Sequence, residues 1–324
     1  MLNTIFNIQS EEEFSKIALT VFKYQFENNP VYRSYCDLLY IHPGDVKQVE
    51  EIPFLPIQFF KSHKVISKYT KASQIFTSSG TTGTNVSKHY VTDINWYEES
   101  YIKGFEHFYG NIEDYTILAL LPNYLEREGS SLIYMVNDLI HRSKKVNSGF
   151  YLHNIKELAN TLTELDQKGE RVLLIGVSFA LLDLIEQFTF NLKHTTIMET
   201  GGMKGKRKEL IRTELHTVLK NGFGVSKIHS EYGMTELLSQ GYSKGDGLFN
   251  CPPWMKILTR DTEDPLFTFK TQRTGGINVI DLANYNSCSF IATQDLGKVH
   301  DTNTFEIIGR FDNSDIRGCN LMVL

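Results

Sequence analysis

Residues 76–90 read FTSSGTTGTNVSKHY, and the eight positions from Thr77 hold six small hydroxyl residues and two glycines. Gly80 and Gly83 can adopt backbone angles closed to other residues, so successive N–H groups can converge on one anion. Thr77, Ser78, Ser79, Thr81, Thr82 and Thr84 add hydroxyl donors, and their short side chains let the backbone approach closely. This is phosphate-loop chemistry, with a nucleoside triphosphate as its natural guest. It is not a Walker A loop, which needs four residues between its glycines and a Lys-Ser/Thr pair after the second. Strand-like residues 74–76 precede the run and an alternating 88–91 follows it, which argues against a serine-threonine linker.

A second island lies at 229–240, HSEYGMTELLSQ, where Tyr232, Gly233, Thr235 and Glu236 gather an aromatic face, a turn glycine, a hydroxyl and a carboxylate. An aromatic ring can stack on a purine, and a carboxylate beside a triphosphate can hold Mg2+ through oxygen. SSGTTG followed by YGxTE resembles the acyl-adenylate-forming superfamily of acyl-CoA synthetases, luciferases and adenylation domains. Three further segments resemble it as well: METGG at 198–202, TQDLG at 293–297 and GRFD at 309–312.

A narrower resemblance rests on IPFLPIQFFK at 52–61 and LPNYLEREGSS at 121–131, which are similar to the acyl-protein synthetases of bacterial bioluminescence. In that family a fatty acid is activated by ATP as acyl-AMP, passed to a cysteine near the C-terminus and handed on to a reductase. Cys319, after Ile316, Arg317 and Gly318, stands at the matching place. The resemblance implies that Thr81, Thr82 and Gly83, with Ser78, Ser79 and Gly80, bind the triphosphate. It implies that Gly201 and Gly202 lie along the adenine, that Tyr232 stacks on it and that Thr235 touches the α-phosphate. Glu236 is expected to hold Mg2+, Asp295 to accept from the ribose hydroxyls, and Arg310 to bond the ribose or phosphate. Lys88 and His89 both stand as candidates for the lysine that closes the superfamily loop.

The composition sets outer bounds. In 324 residues, 41% are hydrophobic and 22% charged, values of an ordinary globular chain. The net charge is -5 and the basic residues cluster only at 204–208, so no nucleic-acid footprint is present. Cys36, Cys251, Cys288 and Cys319 show no CxxC spacing and favour a reducing compartment. The first residues, MLNTIFNIQSEEEF, carry no signal-peptide pattern, and no apolar run approaches membrane-spanning length; the expectation is a cytoplasmic protein without a membrane span.

Ser10 and Glu13 have capping-box spacing ahead of Phe14, Ile17, Ala18, Val21, Phe22 and Phe26, which predicts an opening helix. Pro53 and Pro56 predict an extended run over 52–60. From 115–121 onward apolar runs alternate with helical patterns, including 172–175, a helix around 180–190 and another over 203–219 with a basic first turn. Such alternation predicts a parallel sheet with helices on both faces. After Trp254 short strands are expected at 255–258, 266–269, 276–280, 289–293 and 304–308. The predicted fold class is α/β. A large acyl-adenylate-forming domain of parallel or mixed sheets flanked by helices covers 1–254, and a smaller β subdomain covers 255–324. The superfamily's C-terminal lid domain, about 100 residues, would begin where this sequence stops, and the expectation is a fold without it.

The expected activity is therefore an ATP- and Mg2+-dependent acid-thiol ligase. Its partners are a carboxylic acid, expected to be fatty, and an acyl-acceptor protein such as a reductase or carrier. Two other readings remain open at this stage: a phenylacetate-type acyl-CoA ligase, and a catalytically silent nucleotide-binding subunit of an acyl reductase complex. Residues 176–180, GVSFA, resemble a nucleophile elbow but end in Ala180 instead of glycine, so Ser178 and Phe179 are expected to line the acyl pocket.

Overall fold

Behind a short helix α1 (Leu2–Ile5), Ser10 caps α2 (Glu11–Asn28), its Oγ accepting from the Glu13 N–H at 3.2 Å. The Glu13 carboxylate reaches one residue further back than a strict capping box, accepting from the Gln9 N–H at 2.8 Å. Phe14, Ala18, Val21, Phe22 and Phe26 form the expected buried stripe. Asn29 then serves two elements. Its Oδ1 caps α3 (Pro30–Leu38) by accepting from the Val31 and Tyr32 N–H groups at 3.1 Å, and its Nδ2 donates to the Ser287 carbonyl at 2.7 Å.

The computed structural model describes residues 2–78, 86–122, 129–152, 154–201, 207, 210–269, 272–300 and 304–311. The proline-containing segment runs extended through β1 (Leu55–Pro56), which pairs in parallel with Ile291 and Ala292, and ends in α4 (Phe59–Ser62). A hairpin of β2 (Gln74–Thr77) and β3 (Lys88–Val91) forms its own two-stranded sheet. After α5 (Ile94–Tyr109) comes the alternation that the sequence predicts: β4 (Thr116–Leu120), α6 (Ser131–Ser143), β5 (Gly149–Phe150), α7 (Ile155–Gln167), β6 (Val172–Val177) and α8 (Ser178–Gln187). It continues through β7 (Thr195–Thr200), α9 (Arg212–Phe223) and β8 (His229–Tyr232). Strands β4 to β8 run parallel, and β4 and β6 are buried along their whole length because helices cover both faces.

The chain then turns antiparallel through β9 (Gly241–Ser243), β10 (Phe249–Asn250), β11 (Met255–Arg260), β12 (Thr268–Phe269), β13 (Thr274–Asp281), β14 (Phe290–Val299) and β15 (Phe305–Arg310). Among the described residues one sheet runs in the order β12-β11-β13-β14-β15-β10-β9-β8-β7-β6-β4-β5, with β1 attached to β14. The strands after Trp254, expected as a smaller β subdomain, are antiparallel and hydrogen-bonded into the same sheet as the parallel strands, through Phe249 opposite Phe305. No described helix is long and apolar enough to cross a membrane.

One element differs from expectation. The helix predicted over 203–219 begins only at Arg212, because Ile211 is extended (φ -63°, ψ 149°) and 65% exposed. Its apolar side chain fits helical spacing in one dimension, yet it caps the helix instead of joining it.

The fold matters for function through its edges. The parallel strands β4, β6, β7 and β8 all end on one side, where ligands of open α/β sheets bind. Leu121, Ser178, Gly201 and Gly233 follow directly from those ends.

Candidate active site

The neck of the glycine-hydroxyl loop is clasped from both strands of its hairpin. The Ser78 N–H donates to the Ser87 carbonyl at 3.1 Å, and the Ser87 N–H donates to Ser78 Oγ at 3.0 Å. One residue earlier the Thr77 N–H donates to the Gly129 carbonyl at 2.8 Å, so the hairpin is tied to the segment that follows β4. Gly129 has φ +89°, and a Cβ there would stand 2.8 Å from Thr77 Oγ1. Ser79, Gly80, Thr81, Thr82 and Gly83 lie outside the described residues, as do Gly202 and Cys319.

Pairing in the hairpin puts Lys88 and His89 on opposite faces. Lys88 opposes Thr77 and is exposed, whereas His89 opposes Phe76 and is fully buried, with Phe60 edge-on at 5.8 Å. His89 Nδ1 lies 2.8 Å from the Thr235 carbonyl, and Nε2 lies 2.8 Å from Asn284 Oδ1. Asn284 Nδ2 in turn donates to the Glu236 carbonyl at 2.7 Å. Burial pushes the imidazole down to about 4, so it is neutral at physiological pH. His89 therefore anchors the backbone at Thr235 and Glu236, while Lys88 keeps its ammonium in solvent.

Glu236 is 5% exposed, and Ser87 of the loop neck is among the groups that favour its ionised form. Burial holds its carboxyl above the usual range, against the opposing pull of Ser87, its own N–H, Arg310 and Lys61. The loop neck and the YGMTE island thus meet through two adjacent residues, Ser87 with Glu236 and His89 with Thr235.

On the other side of the island, the Tyr232 hydroxyl donates to Asp295 Oδ2 at 2.9 Å, and Arg310 Nε donates to Asp295 Oδ1 at 3.0 Å. Asp295 is 6% exposed, but the Arg310 side chain is 73% exposed and opens the cluster to solvent. A carboxylate has about four acceptor positions, so these two donors leave room for others. The Tyr232 ring packs against Phe249 and Phe305, which fixes the direction of its hydroxyl. Gly233 beside it is exposed, and a Cβ there would meet Glu231 Oε1 at 2.4 Å.

Two carboxyl groups that sequence reasoning passed over lie close by. Glu199 is buried with His216 Nε2 at 3.5 Å and Arg212 Nε at 3.7 Å; burial raises its pKa, but these partners and Ser230 outweigh it and leave the carboxyl ionised. Glu231 accepts from Thr200 Oγ1, and burial pushes it up to about 7. It closes an apolar gap lined by Phe105, Met135, Leu139, Ile175 and Met198. Ser178 and Phe179 do not line that gap. Ser178 Oγ donates to the Gly201 carbonyl at 2.8 Å, bracing the turn after β7 where Gly201 has φ +65°.

No family model matches the chain. The fold is nevertheless that of the acyl-adenylate-forming ligases. A 2-hydroxyisobutyryl-CoA ligase crystallised with 2-HIB-AMP and CoA superposes with a TM-score of 0.67 at 11% identity, covering 94% of this chain and 70% of that one. ATP-bound MatB from Rhodopseudomonas palustris gives a TM-score of 0.53 at 16% identity, covering 73% of this chain and 47% of that one. Within that fold, the chain is similar to the long-chain-fatty-acid–luciferin-component ligase of Vibrio harveyi, with 22% identity over 97% of this chain and 88% of the relative. The resemblance to the acyl-protein synthetases therefore runs through the opening helices as well as the motifs.

Proposed function

We propose that this chain activates a carboxylic acid, and specifically a fatty acid, by transfer to AMP, and then carries the acyl group as a thioester on Cys319. The observation that supports this reading is the meeting of the loop neck with Thr235 and Glu236, beside the Tyr232–Asp295–Arg310 cluster. A substrate carboxylate oxygen attacks the α-phosphorus of ATP, the bond to the bridging oxygen breaks, and pyrophosphate leaves. Such chemistry asks mainly for positioning and for neutralisation of phosphoryl charge. Thr81, Thr82, Gly83 and the preceding loop residues would supply donors to the triphosphate, with Lys88 at the hairpin end. Gly201, Gly202 and Tyr232 would flank the adenine, Thr235 would meet the α-phosphate, and Asp295 and Arg310 would hold the ribose.

Mg2+ fits Glu236. A buried carboxylate with no ion-pair partner among the described residues gains from a hard cation whose remaining ligands are phosphate oxygens and water. The ion would neutralise charge on the triphosphate. In the second step the Cys319 thiolate attacks the acyl carbonyl carbon, the carbon–oxygen bond to phosphate breaks and AMP departs.

Mass spectrometry of the protein incubated with MgATP and a series of fatty acids tests this. The expected result is a hydroxylamine-labile acyl adduct on Cys319 that disappears in Cys319→Ser, while acyl-AMP still forms. Free acyl-CoA in the presence of CoA, with Cys319 unmodified, would instead identify an acyl-CoA ligase. ATP binding without acyl-AMP for any acid would identify a silent nucleotide-binding subunit.

A further inference from the structure

Arg260 ends β11 with its guanidinium 9% exposed and with no carboxylate among its hydrogen-bond partners. Its Nη1 donates to the Ile277 carbonyl at 2.8 Å and to Asn278 Oδ1 at 2.9 Å, and its Nη2 donates to the Thr293 carbonyl at 2.6 Å. Burying a guanidinium among neutral acceptors is costly, and burial pulls its pKa down to about 10. Space is cleared for it: a Cβ at Gly276 would stand 2.6 Å from Cζ.

The reason for such a residue lies in the register of β13 and β14. Gly276 pairs with Leu296 and Asn278 pairs with Ala292, so the single residue Ile277 faces Thr293, Gln294 and Asp295. This irregularity takes backbone carbonyls out of the regular ladder, and buried carbonyls need donors. Arg260 supplies them on both strands at once through its planar fork. Thr293 completes the clamp, its Oγ1 donating to the Ile277 carbonyl at 2.9 Å and accepting from the Asp295 N–H at 3.1 Å. Asp295 is the last residue of the irregularity, and its carboxylate meets Tyr232 and Arg310. Past that pair, the Phe311 N–H donates to the Gln294 carbonyl at 2.7 Å, and the Arg260 guanidinium lies 5.8 Å over the Phe311 ring.

We propose that Arg260 is a positioning residue for the nucleotide's ribose, setting the bulge that aims the Asp295 carboxylate at the sugar hydroxyls. The inference rests on Asp295 as the ribose ligand and adds the residue that holds it. Removing the fork lets Thr293–Asp295 relax into another register, and the carboxylate loses its aim while the phosphate loop stays intact.

The test compares ATP with 2′,3′-dideoxy-ATP in acid-dependent pyrophosphate exchange for wild type, Arg260→Met and Arg260→Lys, with thermal melting to confirm folding. Hydrogen bonds to a charged group predict that wild type prefers ATP by at least about tenfold. In Arg260→Met the preference is expected to fall to about twofold or less, with KM for the acid nearly unchanged; Arg260→Lys retains part of the preference. Thr293→Val breaks the same clamp from the other strand and is expected to reproduce the collapse where Arg260→Met does not fold. Full discrimination in either folded variant overturns the inference while leaving the ribose reading intact. A wild type that uses both nucleotides equally overturns both.

Discussion

Glu231 and His89 are buried titratable groups shifted in opposite directions, and together they give the protein a defined pH response. The folded pKa of Glu231, about 7, lies above the ordinary 4.5, so its stabilising proton is fully held below pH 4.5 and lost as pH rises through 7. Glu231→Gln removes that dependence. Urea unfolding at pH 5 and pH 8 should show wild type losing on the order of 3 kcal/mol relative to the variant. The folded pKa of His89, about 4, lies below 6.5, so its contribution is present above pH 6.5 and lost as pH falls through 4. At Asp295 the expected effect is functional. Asp295→Asn keeps the shape but discards the charge shared by Tyr232 and Arg310, and the KM for ATP should rise by about tenfold or more, measured by initial rates. The motif spacing made Asp295, Tyr232 and Glu236 legible. Arg260 was not, because two of its three acceptors are main-chain carbonyls beside a bulge, and a bulge leaves no mark in residue type.

Elements were read well where periodicity reports burial. β4 and β6 are buried at every position and apolar but for Thr116 and Gly176, because they are covered on both sides, and the strands after Trp254 alternate with turn residues. Which of Lys88 and His89 faces inward was beyond periodicity, since alternation says that neighbours face opposite ways but not which way is inward. The structure buries His89. The start of α9 was misplaced for a related reason: Ile211 matches helical spacing yet stays extended and exposed. The turn after β8 yields a prediction at this scale. Gly233→Ala would press a methyl against Oε1 of the buried Glu231. A cost of roughly 1–3 kcal/mol is expected, measured by chemical denaturation, together with weaker ATP binding in titration calorimetry because the turn must shift beside Tyr232.

At the scale of the whole molecule, the site is assembled from regions far apart in the chain. The hairpin contributes Ser87 and His89, the turn after β8 contributes Thr235 and Glu236, and the antiparallel group contributes Asp295 and Arg310. Bound MgATP would bridge all three, so it should stabilise the fold as a unit, by about 2.7 kcal/mol at a hundredfold excess over Kd. A single melting transition shifted upward by several degrees is expected. Sequence order alone pointed to these regions together, through the paired motifs. It could not reveal the contacts that join them, because Asn284 belongs to no motif and nothing in the spacing of Ser87 and His89 names their partners.

The most direct test is isotope exchange between pyrophosphate and ATP in the presence of Mg2+ and a series of fatty acids. Exchange that requires the acid and is abolished by Glu236→Ala is the predicted result. A folded protein that binds ATP but exchanges no pyrophosphate with any acid would contradict the assignment of this cleft to acid activation.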